Sequence, residues 1–178
     1  MPRYIALLRG INVSGQKIIK MEDLRQIFES FGLNNVKTYI QSGNVLFDSS
    51  AKNQETLTKK IEKGLAETLG YNVPIILRTQ DEFVKIVELD PHTKYADEKD
   101  SKFYVVFGAK ELEKLPKLPY FSPKKDVEIK EIHRKEFFCL SHPLPNGTWG
   151  FPNAFVEKEF KIAATTRNWN TVNKLCEL

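Results

Sequence analysis

Residues 36–48, VKTYIQSGNVLFD, constrain the fold more than any other stretch of the chain, because alternating apolar residues flank a Ser-Gly-Asn centre in the pattern of a β-hairpin. A two-residue turn at Ser42-Gly43 or at Gly43-Asn44 gives the same facing of side chains, since the two registers differ by two residues. The pattern predicts one face with Val36, Thr38, Ile40, Val45 and Phe47, and another with Lys37, Tyr39, Gln41, Asn44 and Leu46. The second face or the turn is a candidate site, and a half-solvated hairpin without a ligand is the alternative.

Patterns on both sides of the hairpin predict a ferredoxin-like first half. Residues 3–9 include apolar side chains at both odd and even positions, which is typical of a central strand buried on both faces. Helical spacing predicts helices near residues 21–31 and 54–69, and residues 73–78 form a fourth strand that Pro74 places at a sheet edge. The order βαββαβ is the split βαβ arrangement, whose helices cover one face of the sheet. We expect the second half or the last helix to cover the other face.

The second half repeats this order of patterns. KFYVVFG at residues 102–108 resembles the opening RYIALLRG, and a short helical piece, strands near 126–132 and 136–141 and a helix near 154–163 are predicted after it. The predicted fold class is therefore α/β (α+β), a ferredoxin-like βαββαβ half with a second, similar αβ half packed against it. We predict a first domain over residues 1–90 and a second over 91–178.

A helix and a polar segment are expected at the junction of these domains. Thr79 and Glu82 form a capping box that predicts a linking helix ending before Pro91, and residues 92–101 are predicted to be a linker. The last helix is expected from about Arg167.

Composition favours a cytoplasmic protein without a membrane segment or a cofactor. The N-terminus shows no basic leader or long apolar segment. Cys139 and Cys176 are far apart and lack the paired spacing of metal ligands, so we interpret them as reduced, buried thiols, and three scattered histidines add no metal motif. The oligomeric state does not follow from the sequence.

The charge distribution permits a nucleic-acid partner without arguing for one. The chain has 27 basic and 23 acidic residues, a net charge of +4. Basic residues between 110 and 135 are interspersed with acids, whereas a nucleic-acid footprint concentrates positive charge.

The loop RGINVSGQKIIK, between the first strand and the first helix, is a candidate anion site. Gly10 and Gly15 have the spacing of a phosphate-binding loop, but Gln16 stands where that motif needs lysine and the following Ser or Thr is absent. A glycine-rich backbone beside Arg9 and Asn12 can still form a small anion-binding nest. A flexible connector is the alternative.

A second candidate site lies at residues 165–171, TTRNWNT, where hydroxyl and amide side chains crowd the expected start of the last helix. Unpaired backbone N–H groups there favour an anion, and Arg167 adds a positive charge. Ordinary capping of the helix is the alternative.

No catalytic nucleophile is predicted. Ser42 lacks the strand-to-helix setting of a nucleophile elbow, and His92, His133 and His142 show no acidic partner in the sequence. Tyr39, Trp149 and Trp169 can stack on bases, but core or interface packing is the simpler interpretation.

The motifs RGINVSG, TYIQSGNVLF and TTRNWNTVNKL together resemble a family of bacterial proteins, the domain of unknown function 1697. The resemblance spans nearly the whole chain, and it implies an α/β fold with ferredoxin-like elements. Ser14 stands where the first motif usually has glycine. The resemblance implies no activity.

The leading hypothesis is a cytosolic protein that binds an anionic ligand, a nucleotide, phosphorylated metabolite or nucleic acid, in a groove of the three motifs. An enzyme acting on such a ligand and a non-catalytic protein-interaction module are the alternatives. The candidate ligand-binding residues are Arg9, Asn12, Gly15, Tyr39, Gln41, Ser42, Asn44, Thr165, Thr166, Arg167 and Asn168.

Overall fold

A computed structural model describes residues 1–95 and 98–178. It contains two antiparallel sheets and several helices, so the predicted mixed α/β class is confirmed. The chain divides into two compact units, the first comprising Met1–Val84 with Leu175–Leu178 and the second Lys85–Lys174.

The sheet of the first unit has the ferredoxin-like strand order β2-β3-β1-β4. Strand β1 lies inside the sheet and β4 lies at its edge, as the apolar run and Pro74 predict. Every neighbouring pair is antiparallel, and each helix connects two strands that are separated by one other strand. The elements are β1 (Arg3–Leu8), α1 (Met21–Ser30), β2 (Asn34–Tyr39), β3 (Asn44–Asp48), α2 (Gln54–Leu69) and β4 (Ile75–Thr79).

The core of the first unit lies between this sheet and helices α1 and α2. Tyr4, Ala6 and Leu8 alternate on β1 toward the helices, and the rings of Phe28 and Phe47 are 5.8 Å apart in the same core. Ile5 and Leu7, on the opposite face of β1, are also fully buried. Because successive side chains of β1 point to opposite faces of the sheet, this strand has apolar, buried side chains on both faces, as predicted.

The junction after the first sheet is more helical than expected. Helix α3 (Gln80–Glu88) begins at the predicted capping box, in which Thr79 N donates to Glu82 Oε2 at 2.7 Å and Glu82 N donates to Thr79 Oγ1 at 3.2 Å. Helix α4 (Pro91–Tyr95) overlaps residues 92–95 of the predicted linker, so that part of the prediction is wrong. Pro91 explains the helix start, because proline fits the first turn of a helix. Residues 96 and 97 of the predicted linker lie outside the described residues.

The second unit repeats the topology of the first, which confirms the second, similar αβ half. Its sheet order is β6-β7-β8-β5-β9, and the four strands after β6 stand in the same relation as β2-β3-β1-β4. The elements are β5 (Lys102–Gly108), β6 (Tyr120–Phe121), β7 (Val127–His133), β8 (Glu136–Ser141), α5 (Pro152–Phe160) and β9 (Ala164–Asn168). Helix α6 (Trp169–Glu177) begins in this unit, and its residues from Leu175 onward are assigned to the first unit.

One crossover in the second unit differs from the prediction. Residues 109–119 contain no helix, and the short strand β6 follows them instead of the expected helical piece. Pro116 and Pro119 account for the difference, because proline removes a backbone donor and disfavours helix at the residue before it.

The core of the second unit joins its sheet to helix α5. Val106, Phe137 and Cys139 are fully buried with Val156 of α5, and the rings of Phe137 and Phe160 are 5.5 Å apart. Among the described residues, no helix has both the length and the apolar character needed to cross a bilayer.

Candidate functional site

The loop between β1 and α1, residues 9–20, is called the glycine loop here. Its backbone is left-handed at several positions, with φ of 67° at Gly10, 51° at Asn12, 49° at Ser14 and 74° at Gly15. Gly10, Ser14 and Gly15 are exposed. Left-handed residues in a short segment can turn backbone N–H groups toward a common side, as in an anion-binding nest, but the N–H groups of Asn12 and Gln16 already donate to Lys17 O at 3.2 Å and to Val13 O at 2.9 Å.

Asn12 connects the glycine loop to the hairpin turn. Its Nδ2 donates to Ile19 O at 3.1 Å and to Gln41 O at 2.9 Å, and its Oδ1 accepts from Ile19 N at 2.8 Å. Asparagine tolerates the left-handed backbone that this arrangement needs. The side chain therefore closes the loop and fixes the position of the turn.

Replacing Asn12 with alanine should destabilise the protein by about 1–3 kcal/mol, because three hydrogen bonds are lost. Urea unfolding of the full chain measures this change. Gln16→Ala is the matched control in the same loop, since Gln16 is exposed, and its free energy of unfolding should change by less than about 0.5 kcal/mol. Equal effects of the two substitutions would show that Asn12 does not anchor the loop.

The hairpin has the predicted facing but a longer turn. Thr38 pairs with Val45 and Tyr39 pairs with Asn44, so residues 40–43 form a four-residue turn in place of the two-residue turn. The observed pairing keeps the parity of both predicted registers, so the predicted faces are correct for the strand residues. The prediction is wrong for Ile40 and Gln41, which lie in the turn.

Asn44 accounts for the longer turn. It is fully buried, and its Nδ2 donates to Tyr39 O at 2.9 Å and to Ser42 Oγ at 3.1 Å. Three predicted site residues, Tyr39, Ser42 and Asn44, thus bond to one another and hold the turn in shape.

Gly43 brings the turn against the glycine loop. Its φ is 81°, and a Cβ added there would lie 2.6 Å from Ile11 Cδ1 and 2.9 Å from Leu8 Cβ. Leu8 N also donates to Gly43 O at 2.8 Å. The glycine loop and the turn, named together the loop–turn surface (residues 9–20 and 40–43), are therefore one packed structure within the first unit.

Three cations belong to the glycine loop. Arg9 is half-buried and its backbone N donates to Pro74 O at 2.9 Å, and Lys17 and Lys20 are exposed. Lys17 Nζ donates to Asn72 O at 3.3 Å and lies 5.3 Å from the centre of the Tyr71 ring. The sequence contains no Asp or Glu in residues 1–20, 33–47 or 68–80. The segments that form and support this surface thus carry cations without acidic neighbours in sequence.

The first four residues of the third motif, 165–168, belong to a strand, and the last helix begins two residues after the predicted start at about Arg167. Thr165 and Arg167 belong to β9, where they pair with Phe107 and Val105 of β5, and α6 begins only at Trp169. Asn168 caps this helix, since its Oδ1 accepts from Thr171 N at 2.8 Å. Backbone pairing with an existing strand outweighed the cap-like composition of the segment.

Arg167 lies inside the second unit. It is 7% exposed, and its Nη1 donates to Thr165 Oγ1 at 2.9 Å and to Thr166 O at 2.8 Å. Burial lowers the pKa of the Arg167 guanidinium to about 10, so the group stays charged at pH 7. Thr166 Oγ1 donates to Asn153 Oδ1 at 3.1 Å.

Two of the three predicted motifs therefore meet, and they do so in the first unit. The third motif belongs to the second unit. A site shared by all three motifs stays a prediction.

The cysteines and aromatic residues offer little chemistry. Burial raises the pKa of the Cys139 thiol, which makes it a poor nucleophile, and Cys176 is half-buried. Trp169 stacks on His92 with ring centres 5.9 Å apart, and Lys102 Nζ lies 3.9 Å from the centre of the Trp149 ring. Both tryptophans have partners within the second unit.

The sequence analysis missed a polar cluster in the second unit. His142 Nε2 lies 3.1 Å from Glu128 Oε2, so the interpretation that no histidine pairs with an acid is wrong for His142. Lys130 Nζ donates to Glu98 Oε1 at 2.6 Å and to Glu128 Oε1 at 3.0 Å. Glu98, Glu128 and His142 offer metal-ligating atoms within 4.8 Å of one another, but the Lys130 ammonium already donates to both carboxylates. No local spacing signals this cluster, because it depends on the register of β7 and β8.

Comparisons with known proteins agree with this fold. The conserved bacterial protein SP0830 from Streptococcus pneumoniae has a similar structure, with a TM-score of 0.66, 22% sequence identity and coverage of 99% of this chain and 97% of that one. No curated protein matches the chain. Residues 1–138 match the family described as "Protein of unknown function (DUF1697)". Because this match covers more than half of the sequence, the chain belongs to that family.

Proposed function

We propose that this chain is a cytosolic protein that binds an anionic ligand at the loop–turn surface of its first unit. The observation that carries the proposal is that Asn12 connects the glycine loop to the hairpin turn. Its side chain forms hydrogen bonds with the backbone of Ile19 and Gln41 at 2.8–3.1 Å. Arg9, Lys17 and Lys20 belong to the same loop as the left-handed backbone.

The chemistry of the surface suits binding better than proton transfer. Its two segments supply backbone N–H groups, amides and cations, and their sequence contains no Asp, Glu or His. Such donors favour phosphate or carboxylate groups, whereas a general base is needed to abstract a proton. An enzyme therefore remains the second candidate, with binding as the first.

A nucleotide or phosphorylated metabolite that binds this surface should raise the melting temperature of the protein. At a ligand concentration a hundred times the Kd, binding adds about 2.7 kcal/mol to the free energy of unfolding, which corresponds to about 5–10 °C for a chain of this length. Thermal unfolding of the full chain with a panel of nucleotides, sugar phosphates and other phosphorylated metabolites measures the shift.

Charge removal gives the decisive control. Lys17→Ala with Lys20→Ala should abolish the shift, because both side chains are exposed cations of the loop–turn surface. Lys59→Ala with Lys63→Ala is the matched pair on α2, where the side chains are 72% and 78% exposed, and it should leave the shift intact. No shift with any anion, or equal losses in both double variants, would contradict the proposal.

Salt dependence separates small anions from nucleic acid. A protein that neutralises several phosphates loses affinity steeply as salt rises. Labelled RNA and DNA titrated at two salt concentrations should bind weakly, and submicromolar, salt-sensitive binding would identify nucleic acid as the ligand.

A further inference from the structure

Three large aliphatic side chains are exposed on the loop–turn surface. Val13 is 57% exposed, Ile18 72% and Ile40 45%. Single exposed aliphatic residues are common on proteins, but contiguous apolar patches mark ligand or partner sites.

The hydrogen bonds of Asn12 bring the backbone segments that carry these three residues to one place. Asn12 Nδ2 donates to both Ile19 O and Gln41 O, and Ile18 and Ile40 immediately precede those residues. Val13 follows Asn12 directly and forms an isolated bridge with Gln16 across the loop. The three aliphatic residues are thus each one residue away from the same hydrogen-bonded centre.

Cations belong to the same loop as two of these aliphatic residues. Lys17 and Lys20 flank Ile18 in sequence, and Arg9 begins the same loop. The supporting contacts of Lys17 to Asn72 and Tyr71 hold its ammonium at this side of the unit. A simple anion such as inorganic phosphate would use the cations and leave the aliphatic side chains in water.

We propose that the ligand of the loop–turn surface is an amphipathic anion, a phosphate ester with an apolar body that covers Val13, Ile18 and Ile40. This inference rests on the proposed function, because the same cations bind the phosphate. The apolar body adds affinity by removing aliphatic surface from water, and each buried methylene strengthens binding about fourfold.

The test compares phosphate esters that differ only in their apolar part. Methyl phosphate, hexyl phosphate and phenyl phosphate are titrated into the full chain, and the affinities are measured from amide chemical shifts. Hexyl phosphate should bind at least about tenfold more tightly than methyl phosphate, since burial of two methylenes is sufficient for that gain. The shifts should be largest for amides of residues 9–20 and 40–43.

Variants separate this inference from the proposed function. Ile18→Ser with Ile40→Ser should remove the advantage of hexyl phosphate and leave methyl phosphate binding unchanged, whereas Lys17→Ala with Lys20→Ala should weaken all three esters. Leu115→Ser, at an aliphatic residue of the second unit that is 59% exposed, is the control and should change nothing. Equal affinities for the three esters, or a hexyl advantage that survives the double serine variant, would overturn the inference alone. Failure of every ester to bind, with no thermal shift from any anion of the nucleotide and metabolite panel, would overturn the proposed function as well.

Discussion

Gly43→Ala should destabilise the protein by about 2–5 kcal/mol, because the new methyl group is both strained and crowded. The backbone at Gly43 has a φ of 81°, and an L-residue in that conformation costs about 1–2 kcal/mol. The Cβ would lie 2.6 Å from Ile11 Cδ1 and 2.9 Å from Leu8 Cβ, and overpacking of this kind costs about 1–3 kcal/mol more. Ile11 Cδ1 can move aside, but Leu8 Cβ is fixed to the backbone of β1.

Gly10→Ala isolates the strain from the crowding. Gly10 has a φ of 67°, and among the described residues no heavy atom would lie within 4 Å of its added Cβ. This control should lose only about 1–2 kcal/mol in urea unfolding, and Gly43→Ala with Ile11→Val should recover part of the loss. If the two alanine variants are equally stable, the turn does not pack against the glycine loop. The interpretation of the two segments as one surface would then be wrong.

The predictable part of this site is the part governed by local periodicity. The sequence predicts that Thr38 and Val45 lie on the same face, because side chains in a strand alternate with a period of two residues. A turn that is two residues longer leaves this alternation unchanged. The turn length itself depended on the amide of Asn44, which reaches Tyr39 O and Ser42 Oγ only in the folded hairpin. A Ser-Gly-Asn sequence gives no sign of that choice.

The errors arose where contacts distant in sequence decide the structure. Thr165 to Asn168 have the residue types of a helix cap, but pairing with β5 makes them a strand. His142 meets Glu128 because β7 and β8 pair in one particular register, which a single sequence does not display. The contact between the glycine loop and the hairpin turn also depends on residues distant in sequence, since Asn12 and Gln41 are 29 residues apart.

Gly150→Ala should destabilise the second unit by about 3 kcal/mol or more, because its added Cβ would lie 2.0 Å from the backbone oxygen of Asp126 and 2.5 Å from the carbonyl carbon. A backbone carbonyl cannot rotate away as a side chain can, so β7 or residues 142–150 must move. Asp126 O accepts from His142 N at 2.9 Å, and Ser141 Oγ donates to Gly150 O at 2.6 Å. A shift of either segment would break these bonds.

The matched control for this substitution is Gly147→Ala in the same connection between β8 and α5. Gly147 has a φ of 80°, but among the described residues no heavy atom lies within 4 Å of its added Cβ, so only about 1–2 kcal/mol should be lost. Urea unfolding gives both free energies, and the side-chain signals of His142 report on its contact with Glu128, which should be lost only in Gly150→Ala. The opposite order of stabilities would mean that the close approach of Asp126 does not set the requirement for glycine at position 150.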